Sequence, residues 1–321
     1  MGAPGALTVT RRAVRDFLTE RAGQLGDGEV FVGVSGGADS LALTEATAHV
    51  GQRLGLRVTA LVVDHGLQPG SAEVAVQAAA TARKLGAADA RVLQVTVAGP
   101  GGPEAAARKA RYAALRGALP AAGGLVLLGH TRDDQAETVL LGLGRGSGPR
   151  SVAGMRPFDP PWGRPLLGVP RTVTREACAE LGVEPWLDPH NADRRYTRVR
   201  LREEVLPLLE DVLAGGVAAA LARTAAQLRE DAEALDTLAG QLLDRARTGR
   251  ELDVAVLTPA APALRRRVLR RWLLDAGVTE LTDSHLRSVD ALVGNWRGQG
   301  GVWLPGNFEA RRSRGKLCVE P

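Results

Sequence analysis

Cysteine is scarce in this chain, which has two cysteines among 321 residues. Cys178 and Cys318 lie far apart in the sequence and form no Cys-x-x-Cys pair. Disulfide-rich domains and structural zinc sites both need several cysteines at defined spacings. The sequence therefore argues against a disulfide framework, a dithiol redox motif and a cysteine-based zinc site.

Long apolar runs are also missing, because no stretch approaches the roughly 20 residues that a membrane-spanning helix requires. Residues 1–10 lack the basic-then-apolar layout of a secretory signal. Apolar residues make up 45% of the chain and charged residues 24%, a balance typical of a globular protein with a large core. We therefore expect a cytoplasmic protein of two domains that spans no membrane.

Lysine and aromatic residues are rare, and the scarcity of lysine makes the net charge weak evidence for an anionic partner. The formal net charge is +5 and aromatic residues make up 3% of the chain. Only Lys84, Lys109 and Lys316 are lysines, so arginine supplies almost all of the basic charge. The abundance of alanine and glycine indicates a bias toward GC-rich codons, which also enriches arginine. The positions of arginine clusters are therefore more informative than the total charge.

The first half of the chain alternates short apolar runs with longer segments of helical composition. Strands are predicted over 30–34, 58–63, 92–97 and 125–128, and helices over 40–54, 72–85, 104–119 and 133–143. Apolar strands that alternate with helices are typical of a parallel sheet covered on both faces. We predict an α/β fold with a doubly wound, Rossmann-like parallel sheet.

Polar segments follow three of the predicted strands, at 35–40, 64–68 and 130–137. The carboxyl ends of parallel strands meet at one edge of the sheet, where such folds bind their ligands. We therefore expect these three segments, distant in sequence, to form a single site.

The rest of the chain is less regular at first and then mostly helical. Residues 144–193 are rich in glycine, proline and arginine, whereas 217–247 is predicted as one long helix. A further helix is predicted over 284–293, and short strands over 302–304 and 316–319. We predict a catalytic domain over 1–213, a helical linker over 214–250 and a smaller, mostly helical domain over 251–321.

A glycine-rich turn follows the first predicted strand and reads Ser35-Gly36-Gly37-Ala38-Asp39-Ser40. Backbone N–H groups of such a turn, together with the positive end of the next helix, suit phosphate oxygens. The turn matches neither the Walker A loop nor the Gly-x-Gly-x-x-Gly fingerprint. Asp39 offers a carboxylate for a metal ion that offsets phosphate charge. The alternative is an ordinary turn capped by serine or aspartate.

Two acids and two histidines lie at the same predicted edge. Asp134 and Glu137 are three residues apart on a predicted helix, so they share one face and suit a cationic substrate. The helix dipole alone also favours acids in a first turn, which leaves a structural alternative open for them and for Asp133. His130 and His65 either contact phosphate or the reacting base or are structural. Their spacing gives little support to a zinc site.

The glycine turn resembles the pyrophosphate-binding loop of the N-type ATP pyrophosphatases, which cleave ATP to AMP and pyrophosphate. Further motifs lie at 63–67 (VDHGL), 129–138 (GHTRDDQAET), 145–148 (RGSG), 164–167 (RPLL), 186–191 (WLDPHN), 198–202 (RVRLR) and 206–209 (LPLL). In this order the motifs, which extend over about residues 30–209, resemble the tRNA(Ile)-lysidine synthetases.

The resemblance implies an enzyme that uses ATP and Mg²⁺ to attach L-lysine to C2 of the wobble cytidine in a tRNA(Ile) with a CAU anticodon. ATP first adenylates the C2 oxygen; the side-chain amine of lysine then attacks C2, and AMP leaves. The product reads AUA instead of AUG. The sequence leaves the oligomeric state open, and a homodimer is one option.

The same resemblance assigns roles to residues that match the motifs. Catalytic roles fall on Asp39, His130 and Asp134, and nucleotide binding on Ser35, Gly36, Gly37, Ala38, Asp39, Ser40, Asp64 and His65. Asp134 and Glu137 would bind the substrate lysine, and Asp39 would bind the metal.

Arginines cluster in two places that the resemblance links to tRNA or phosphate. Among residues 194–202, only Arg198 and Arg202 are assigned, because Val199 stands where the family commonly has asparagine. In the C-terminal part the assigned residues are Arg267 and Arg271, next to Trp272, a basic run that resembles the tRNA-gripping region of the family. A solvated basic helix surface is the alternative reading of both clusters.

Three other functions compete with this interpretation. A tRNA thiolase on the same fold needs catalytic cysteines or an iron–sulfur cluster, and Cys178 lies in a predicted helix where a core role is expected. An amidotransferase-type synthetase needs a source of ammonia, for which the sequence supplies no glutaminase nucleophile. A non-catalytic nucleotide sensor would not need the acids Asp134 and Glu137 beside the loop.

Overall fold

The structure is a computed structural model that describes residues 4–24, 28–97, 102–121, 123–146, 148–188 and 193–321. The chain divides into two compact units, Met1–Ala226 and Gln227–Pro321. Motif residues 147 and 189–191 lie outside the described residues. The predicted division at 213 and 250 remains a prediction, and the long helix Val217–Ala246 crosses the boundary between the units.

Unit 1 is built on a six-stranded sheet with the order β3-β2-β1-β4-β6-β5. The strands are β1 Glu29–Val34, β2 Arg57–Asp64, β3 Asp89–Gln94, β4 Leu125–Leu128, β5 Phe158–Asp159 and β6 Trp162–Gly163. All neighbours pair in parallel except β5 and β6, which form an antiparallel edge. The prediction of a doubly wound parallel sheet is confirmed.

Helices cover both faces of this sheet. They are α1 Ala6–Thr19, α2 Ala38–Leu54, α3 Ser71–Lys84, α4 Pro103–Gly117, α5 Arg132–Gly144, α6 Pro149–Val152, α7 Arg171–Glu180, α8 Thr197–Arg200 and α9 Leu206–Val212, with a π-helical turn at Leu201–Val205. Val30, Val32 and Val34 of β1 pack in one core cluster, while Phe31 packs in the other with Leu115 of α4. Successive strand residues point to opposite faces, which explains why β1 is apolar throughout.

The strand prediction was inaccurate at the edge of the sheet. β3 runs over Asp89–Gln94 rather than the predicted 92–97, and its register is fixed by pairing of Asp89 with Thr59 and Gln94 with Asp64. Half of its residues are exposed or partly exposed polar ones, so the apolar pattern marks this edge strand poorly. β5 and β6 have two residues each, which is too short for a periodic signal.

Unit 2 combines helices with an antiparallel sheet of order β7-β8-β11-β10-β9. Its elements are the end of α10 Val217–Ala246, β7 Arg247–Thr248, β8 Glu251–Asp253, α11 Val254–Leu257, α12 Pro262–Asp275, α13 Asp283–Gly294, β9 Val302–Leu304, β10 Phe308–Ser313 and β11 Lys316–Glu320. The strands predicted at 302–304 and 316–319 are confirmed. β10 escaped prediction because its sequence, Phe-Glu-Ala-Arg-Arg-Ser, buries only Ala310.

Within the described residues, no single helix is long and apolar enough to cross a membrane, although one bent pair of helices, Thr197–Val212 with Val217–Ala246, meets that test in combination.

Candidate functional site

A cavity of about 1390 Å³ opens at the carboxyl ends of the parallel strands of unit 1. Its lining includes most of the predicted site residues, namely Ser35, Gly37, Ala38, Asp39, Ser40, Asp64, His65, His130 and Asp134, together with Arg171 and Arg202. Gly36, Glu137 and Arg198 lie outside the lining. The strand order places β1 between β2 and β4, and this juxtaposition gathers the three polar segments that the sequence predicted to meet.

The glycine turn is shaped by its own hydrogen bonds. Gly36 has a φ of +83°, a left-handed conformation that side chains rarely adopt. The Ser35 backbone N–H donates to the Ser40 hydroxyl over 3.1 Å, and that hydroxyl donates to the Gly37 carbonyl over 2.9 Å. Gly37 immediately precedes α2, so the first amides of that helix face the cavity region as a ready anion site.

Gly129, the residue after β4, lies directly against the start of α2. A Cβ atom at this position would lie 2.9 Å from both the carbonyl carbon and oxygen of Asp39 and 3.1 Å from the amide nitrogen of Ser40. No side chain fits there without a backbone shift. The close approach of β4 to α2 therefore depends on glycine, and it sets the distance between the loop and His130.

Asp39 accepts a hydrogen bond from the Thr174 hydroxyl, and its other oxygen lies 3.6 Å from the Nε of Arg171. Burial raises the pKa of Asp39 above its usual value, and the charge of Asp134 raises it further; the hydrogen bond from Thr174 and the charges of Arg171 and Arg202 offset this only in part. The described residues contain no group of three or more His, Cys, Asp or Glu side chains arranged to hold a metal. Asp39 is thus a single carboxylate beside a phosphate-type loop, and Mg²⁺ commonly binds one or two carboxylates plus substrate phosphates. The donor set fits that ion.

Arg171, the first residue of α7, joins the acids of the site. Its Nη2 lies 2.6 Å from the Asp134 carboxylate and its Nη1 3.3 Å from that of Glu137, in addition to the contact with Asp39. Its backbone N–H donates to Asp133 over 2.8 Å. The side chain is 11% exposed. One buried guanidinium therefore offsets the charge of three carboxylates.

The acids of the 129–138 motif also have structural roles. Asp134 accepts hydrogen bonds from the backbone and hydroxyl of Thr131, each over 2.8 Å, in a capping box that begins α5. Burial raises the pKa of Asp134, but the charge of Arg171 and the Thr131 bonds outweigh it and leave the pKa below its usual value. Gln135 exchanges two hydrogen bonds with the backbone of Met155. The alternative that these residues have a structural role thus applies to Asp134, which begins α5, and to Gln135.

Glu137 is fully buried beneath arginines. Besides Arg171, Arg202 donates from Nε over 2.8 Å, and Arg198 Nη1 lies 3.8 Å from the same carboxylate. Arg202 lies in the π-helical turn between α8 and α9, a conformation that often marks functional sites. Both arginines of the 194–202 cluster that were assigned to tRNA or phosphate therefore lie within ion-pair distance of an acid in this structure.

The remaining arginines of the 194–202 cluster form surface ion pairs. Arg195 pairs with Asp193 over 2.6 Å and Arg200 with Glu204 over 3.1 Å, while Arg194 Nε lies 3.6 Å from Glu203. Val199, which replaces the asparagine common in the family, is buried. Its side chain carries no hydrogen bond and serves packing instead.

Both histidines of the site are held neutral by their surroundings. Burial lowers the pKa of His130 to about 3 even though the neighbouring Asp134 charge opposes the shift. Burial also lowers the pKa of His65, and the charge of Arg111 adds to the effect. Neutral imidazoles at physiological pH can donate or accept one hydrogen bond at each ring nitrogen.

We expect the imidazole of His130 to stay neutral from pH 8 to pH 5. An unfolded histidine takes up a proton near pH 6.5, whereas folded His130 does so only near its depressed pKa of about 3. Unit 1 should therefore lose stability as pH falls below 6.5, by up to about 1.4 kcal/mol per pH unit from this residue. NMR titration of the ring, assigned through His130→Asn, checks this. A midpoint near 6.5 would contradict it.

Cys178 lines the cavity but has the properties of a core residue. It is buried, and its thiol donates to the Ala38 carbonyl over 3.5 Å. Burial raises the pKa of the Cys178 thiol to about 11, with the Asp39 charge adding to the effect. A thiol with so little thiolate at neutral pH is a poor nucleophile, which agrees with the core role predicted for Cys178.

In unit 2 the predicted basic run is only partly available to a partner. Arg267 pairs with Asp236 over 2.5 Å and Arg265 forms a two-pronged pair with Asp290, whereas Arg271 is exposed. Trp272 is buried in the core, and its indole N–H donates to the Arg250 carbonyl. The side chain of Trp272 therefore serves packing within unit 2.

Arg171 and Thr174 are the main site residues that were not predicted from the sequence. One local signal was present, since arginine at the first position of a helix opposes the helix dipole and calls for acidic partners. Which acids it would meet depends on the packing of α7 against α2 and α5, which no local pattern encodes.

The chain resembles known proteins along both units. Residues 7–209 match the PP-loop domain family, and residues 252–318 match the TilS substrate binding domain. A tRNA(Ile)-lysidine synthase of Rhodococcus jostii (strain RHA1) is 58% identical over 322 residues, covering 98% of this chain and 95% of the relative. A tRNA(Ile)-lysidine synthase of Mycobacterium tuberculosis (strain ATCC 25618 / H37Rv) is 60% identical over 285 residues, covering 88% of this chain and 86% of the relative.

Among solved structures, the U34-tRNA thiolase NcsA from Methanococcus maripaludis with its [4Fe-4S] cluster superposes with a TM-score of 0.59. It is 18% identical to this chain, and the match covers 70% of this chain and 80% of the thiolase. At this identity the likeness concerns the fold alone. It confirms the parallel-sheet architecture, whereas the two sequence relatives confirm the family that the motifs resemble.

Proposed function

Because this chain belongs to the tRNA(Ile)-lysidine synthase family, we propose that its cavity joins L-lysine to C2 of the wobble cytidine in a CAU-anticodon tRNA(Ile). The observation that carries the proposal is one cavity lined by a phosphate-type loop and by Asp134, an acid that suits a cationic substrate and shares Arg171 with the buried Glu137 behind it. The enzyme is an ATP-dependent ligase that modifies tRNA, and we place the reaction in the cytoplasm.

The nucleotide lies along the glycine turn and the start of α2 in this proposal. The free amides at that helix end and the Ser35 and Ser40 hydroxyls bind phosphate oxygens. Asp39 holds Mg²⁺, which when bound offsets the charge of the phosphates. Asp39 is kept in place by Thr174 and Arg171. Adenylation makes the C2 oxygen a good leaving group, which an unmodified carbonyl oxygen is not.

We expect Asp39→Asn to weaken the response of the enzyme to Mg²⁺. The amide keeps the shape of the side chain but loses the negative charge that a hard cation requires. The Mg²⁺ concentration for half-maximal AMP release should rise at least about tenfold, since one charge-assisted contact is worth roughly 1.5–3 kcal/mol, while tRNA affinity stays unchanged. A Mg²⁺ titration of AMP release measures the first and filter binding the second. An unaltered Mg²⁺ dependence would contradict the metal role.

The substrate lysine binds through its ammonium charge to Asp134 and Glu137. Glu137 is fully buried and Arg202 occupies its Oε1 at 2.8 Å. A substrate ammonium therefore reaches this carboxylate by displacing Arg202, whose side chain is 30% exposed and so has room to move outward. The released guanidinium becomes available to phosphate, which is the role that the sequence assigned to Arg198 and Arg202. In the attack on C2, the reacting side-chain amine must be neutral, so the charge that the carboxylates hold is that of the α-ammonium group of the same lysine.

Glu137→Gln should raise the KM for lysine at least about tenfold, because the amide cannot form a charge-assisted bond with an ammonium group. The KM for ATP should stay within about twofold. Glu204→Gln is the matched control, since it removes a surface carboxylate paired with Arg200 on the neighbouring segment. Steady-state lysine incorporation measures both constants. If the lysine KM of the Glu137 variant equals that of the control, Glu137 has no part in lysine recognition.

The activity itself is tested by incorporation of radiolabelled lysine into a tRNA(Ile) transcript with a CAU anticodon. A tRNA(Met) transcript with the same anticodon serves as the control. Incorporation should require ATP and occur only in the tRNA(Ile) transcript, with one AMP released per lysine. Folded protein that releases AMP without incorporating lysine would refute the proposal.

Unit 2 is the proposed tRNA-binding part of the chain, consistent with the match of residues 252–318 to a substrate binding domain. Of the two arginines assigned there, Arg271 is exposed and suits a phosphate contact. Arg267 would first have to leave its ion pair with Asp236.

A further inference from the structure

One side of α4 presents basic residues whose charge no acid offsets. Arg108 and Arg116 are exposed and stand one helical step of four residues to either side of Tyr112, so the three side chains share a face of the helix. Lys109, also exposed, borders that face. Glu104 in the first turn is the one acid in the sequence of α4, and no acidic side chain among the described residues lies within ion-pair distance of the three cations. Arg108, Lys109 and Arg116 are called the α4 stripe below.

Aromatic rings hold the two arginines of the stripe in place. The guanidinium carbon of Arg108 lies 4.9 Å from the centre of the Tyr112 ring, and its Nη2 donates to the Tyr112 hydroxyl over 3.3 Å. The guanidinium carbon of Arg116 lies 5.5 Å from the ring centre of Trp162 in β6, and this ring packs edge-to-face on Tyr112 with 4.7 Å between centres. A cation–π contact orients a guanidinium without cancelling its charge. Both arginines are therefore positioned while their charge stays free for an anion.

The α4 stripe begins beside the cavity. Arg111, one turn along α4 from Arg108, lines the cavity. Because α4 leads from β3 back to the start of β4, its N-terminal half lies toward the carboxyl ends of the parallel strands. The helix rise of about 1.5 Å per residue places Arg116 about 12 Å further along, away from that edge. The charge of Arg108 also contributes to the low pKa of His130 in the cavity, although burial is the main cause.

A line of cations that leads away from a cavity suits a linear polyanion better than one small anion. Arginine binds phosphate groups through its planar set of N–H donors. A base that reacts inside a pocket has to leave its stack, and RNA loops are the segments that release a base in this way. The phosphates that flank such a base then pass over the edge of the cavity. On the α4 side they meet Arg108 and Lys109, whose charge is not offset by an acid.

We propose that the α4 stripe binds backbone phosphates of the anticodon arm of the tRNA while the wobble base occupies the cavity. The proposal rests on the proposed function and adds a tRNA-binding surface on unit 1 to the match of residues 252–318 with a substrate binding domain. Contacts to phosphates carry no sequence information, but they fix the register of a nucleic acid on a protein. The α4 stripe thus positions the arm and leaves the choice of base to the cavity.

The test measures RNA binding by Arg108→Ala, Arg116→Ala and the double variant. The matched control is Arg12→Ala, because Arg12 is exposed on α1, and α1 packs in the core cluster on the other face of the sheet from α4. The probes are a full-length tRNA(Ile) transcript with a CAU anticodon and an RNA hairpin with the sequence of its anticodon arm. Filter binding at several salt concentrations gives both the affinity and its salt dependence.

Each single variant should weaken binding of both RNAs at least about fivefold. The slope of log affinity against log salt should become shallower by about 1 in each single variant and by about 2 in the double variant, since each lost phosphate contact releases one counterion fewer. The control should match the wild type. Arg108→Lys and Arg116→Lys should retain the wild-type slope, because they keep the charge and lose only the planar group. If the lysine variants lose as much slope as the alanine variants, the arginines act through packing and the proposal fails.

Three further results would overturn the proposal. Unchanged RNA binding by the double variant would show that the α4 stripe meets another partner, such as an acidic protein. A loss with the full transcript but not with the hairpin would place the contact outside the anticodon arm. An equal loss in Arg12→Ala would show an effect of total charge alone. Binding needs neither ATP nor lysine, so a protein that binds tRNA through the stripe without transferring lysine would refute the proposed function only.

Discussion

Replacement of Arg171 by methionine is expected to abolish measurable lysine transfer and to destabilise unit 1 by about 3–5 kcal/mol, the usual cost of leaving a buried charge without its partner. Arg171 lies within 3.6 Å of the carboxylates of Asp39, Asp134 and Glu137 and has an 11% exposed side chain. Without the guanidinium, these three acids face one another across a buried space. Methionine fills a similar volume, so the effect reports charge rather than a cavity.

The pH dependence of this variant provides a check on the cause. The charge of Arg171 lowers the pKa values of Asp39 and Asp134 in the wild type. Loss of that charge should therefore raise both pKa values. An acid whose pKa is higher in the folded state than in the unfolded state destabilises the fold at neutral pH and less so in acid. The stability deficit should therefore shrink as the pH is lowered from 7 toward 5.

Urea unfolding of the variant and the wild type at several pH values measures this deficit. Arg15→Ala is the control, because Arg15 and its partner Asp16 are each more than half exposed, at 58% and 55%, and such pairs contribute about 0–1 kcal/mol. A deficit for Arg171→Met that is independent of pH would show that packing, not charge, is the role of this residue.

Gly129→Ala, which adds a single methyl group, is expected to have the second large effect. We expect kcat/KM for ATP to fall at least about 100-fold and the protein to be destabilised by about 1–3 kcal/mol. The added Cβ would lie 2.9 Å from the Asp39 backbone, closer than side-chain carbons approach other atoms. Either β4 or the first turn of α2 must move. Both carry residues of the site, so the loop amides and Asp39 lose their alignment with His130.

Gly168→Ala is the matched control for this prediction. An added Cβ at Gly168 meets no atom within 4 Å, and its backbone is not in the left-handed region. The control should retain the kcat/KM and the melting temperature of the wild type within experimental error. If Gly129→Ala also keeps its activity, the spacing between β4 and α2 does not govern catalysis.

The fold was predictable to the extent that it depends on local periodicity. Apolar runs such as 30–34 and 125–128 are buried on both faces, and burial of this kind leaves a continuous pattern in the sequence. β3 and β10 depend on partner strands for their register, and both contain many polar residues. As a result, β3 was predicted at the wrong position and β10 was not predicted at all. Pairing energy is non-local, and single-strand patterns do not record it.

The residues of the candidate site also fall into those that local sequence predicts and those that depend on tertiary packing. Motif residues that act through the backbone, above all Gly36 and Gly37, were recognisable because a turn depends on the few residues that form it. Asp134 was recognisable as a motif residue, but its double role in the capping box and the Arg171 pair was not. The burial of Trp272 beside the basic run was not predicted, since the helix pattern did not reveal which face unit 2 would bury.

The sequence by itself determined the parallel α/β architecture, the phosphate-type loop at Ser35–Ser40 and the family to which the chain belongs, because these are written in short ordered motifs. The tertiary structure alone decided that Arg171 holds three acids together, that Arg202 covers Glu137 and that Arg111 lines the same cavity as two histidines. The physical reason is that charges interact through space and not along the chain. Which arginine meets which acid is fixed only when α4, α7 and the π-helical turn pack around the ends of the strands.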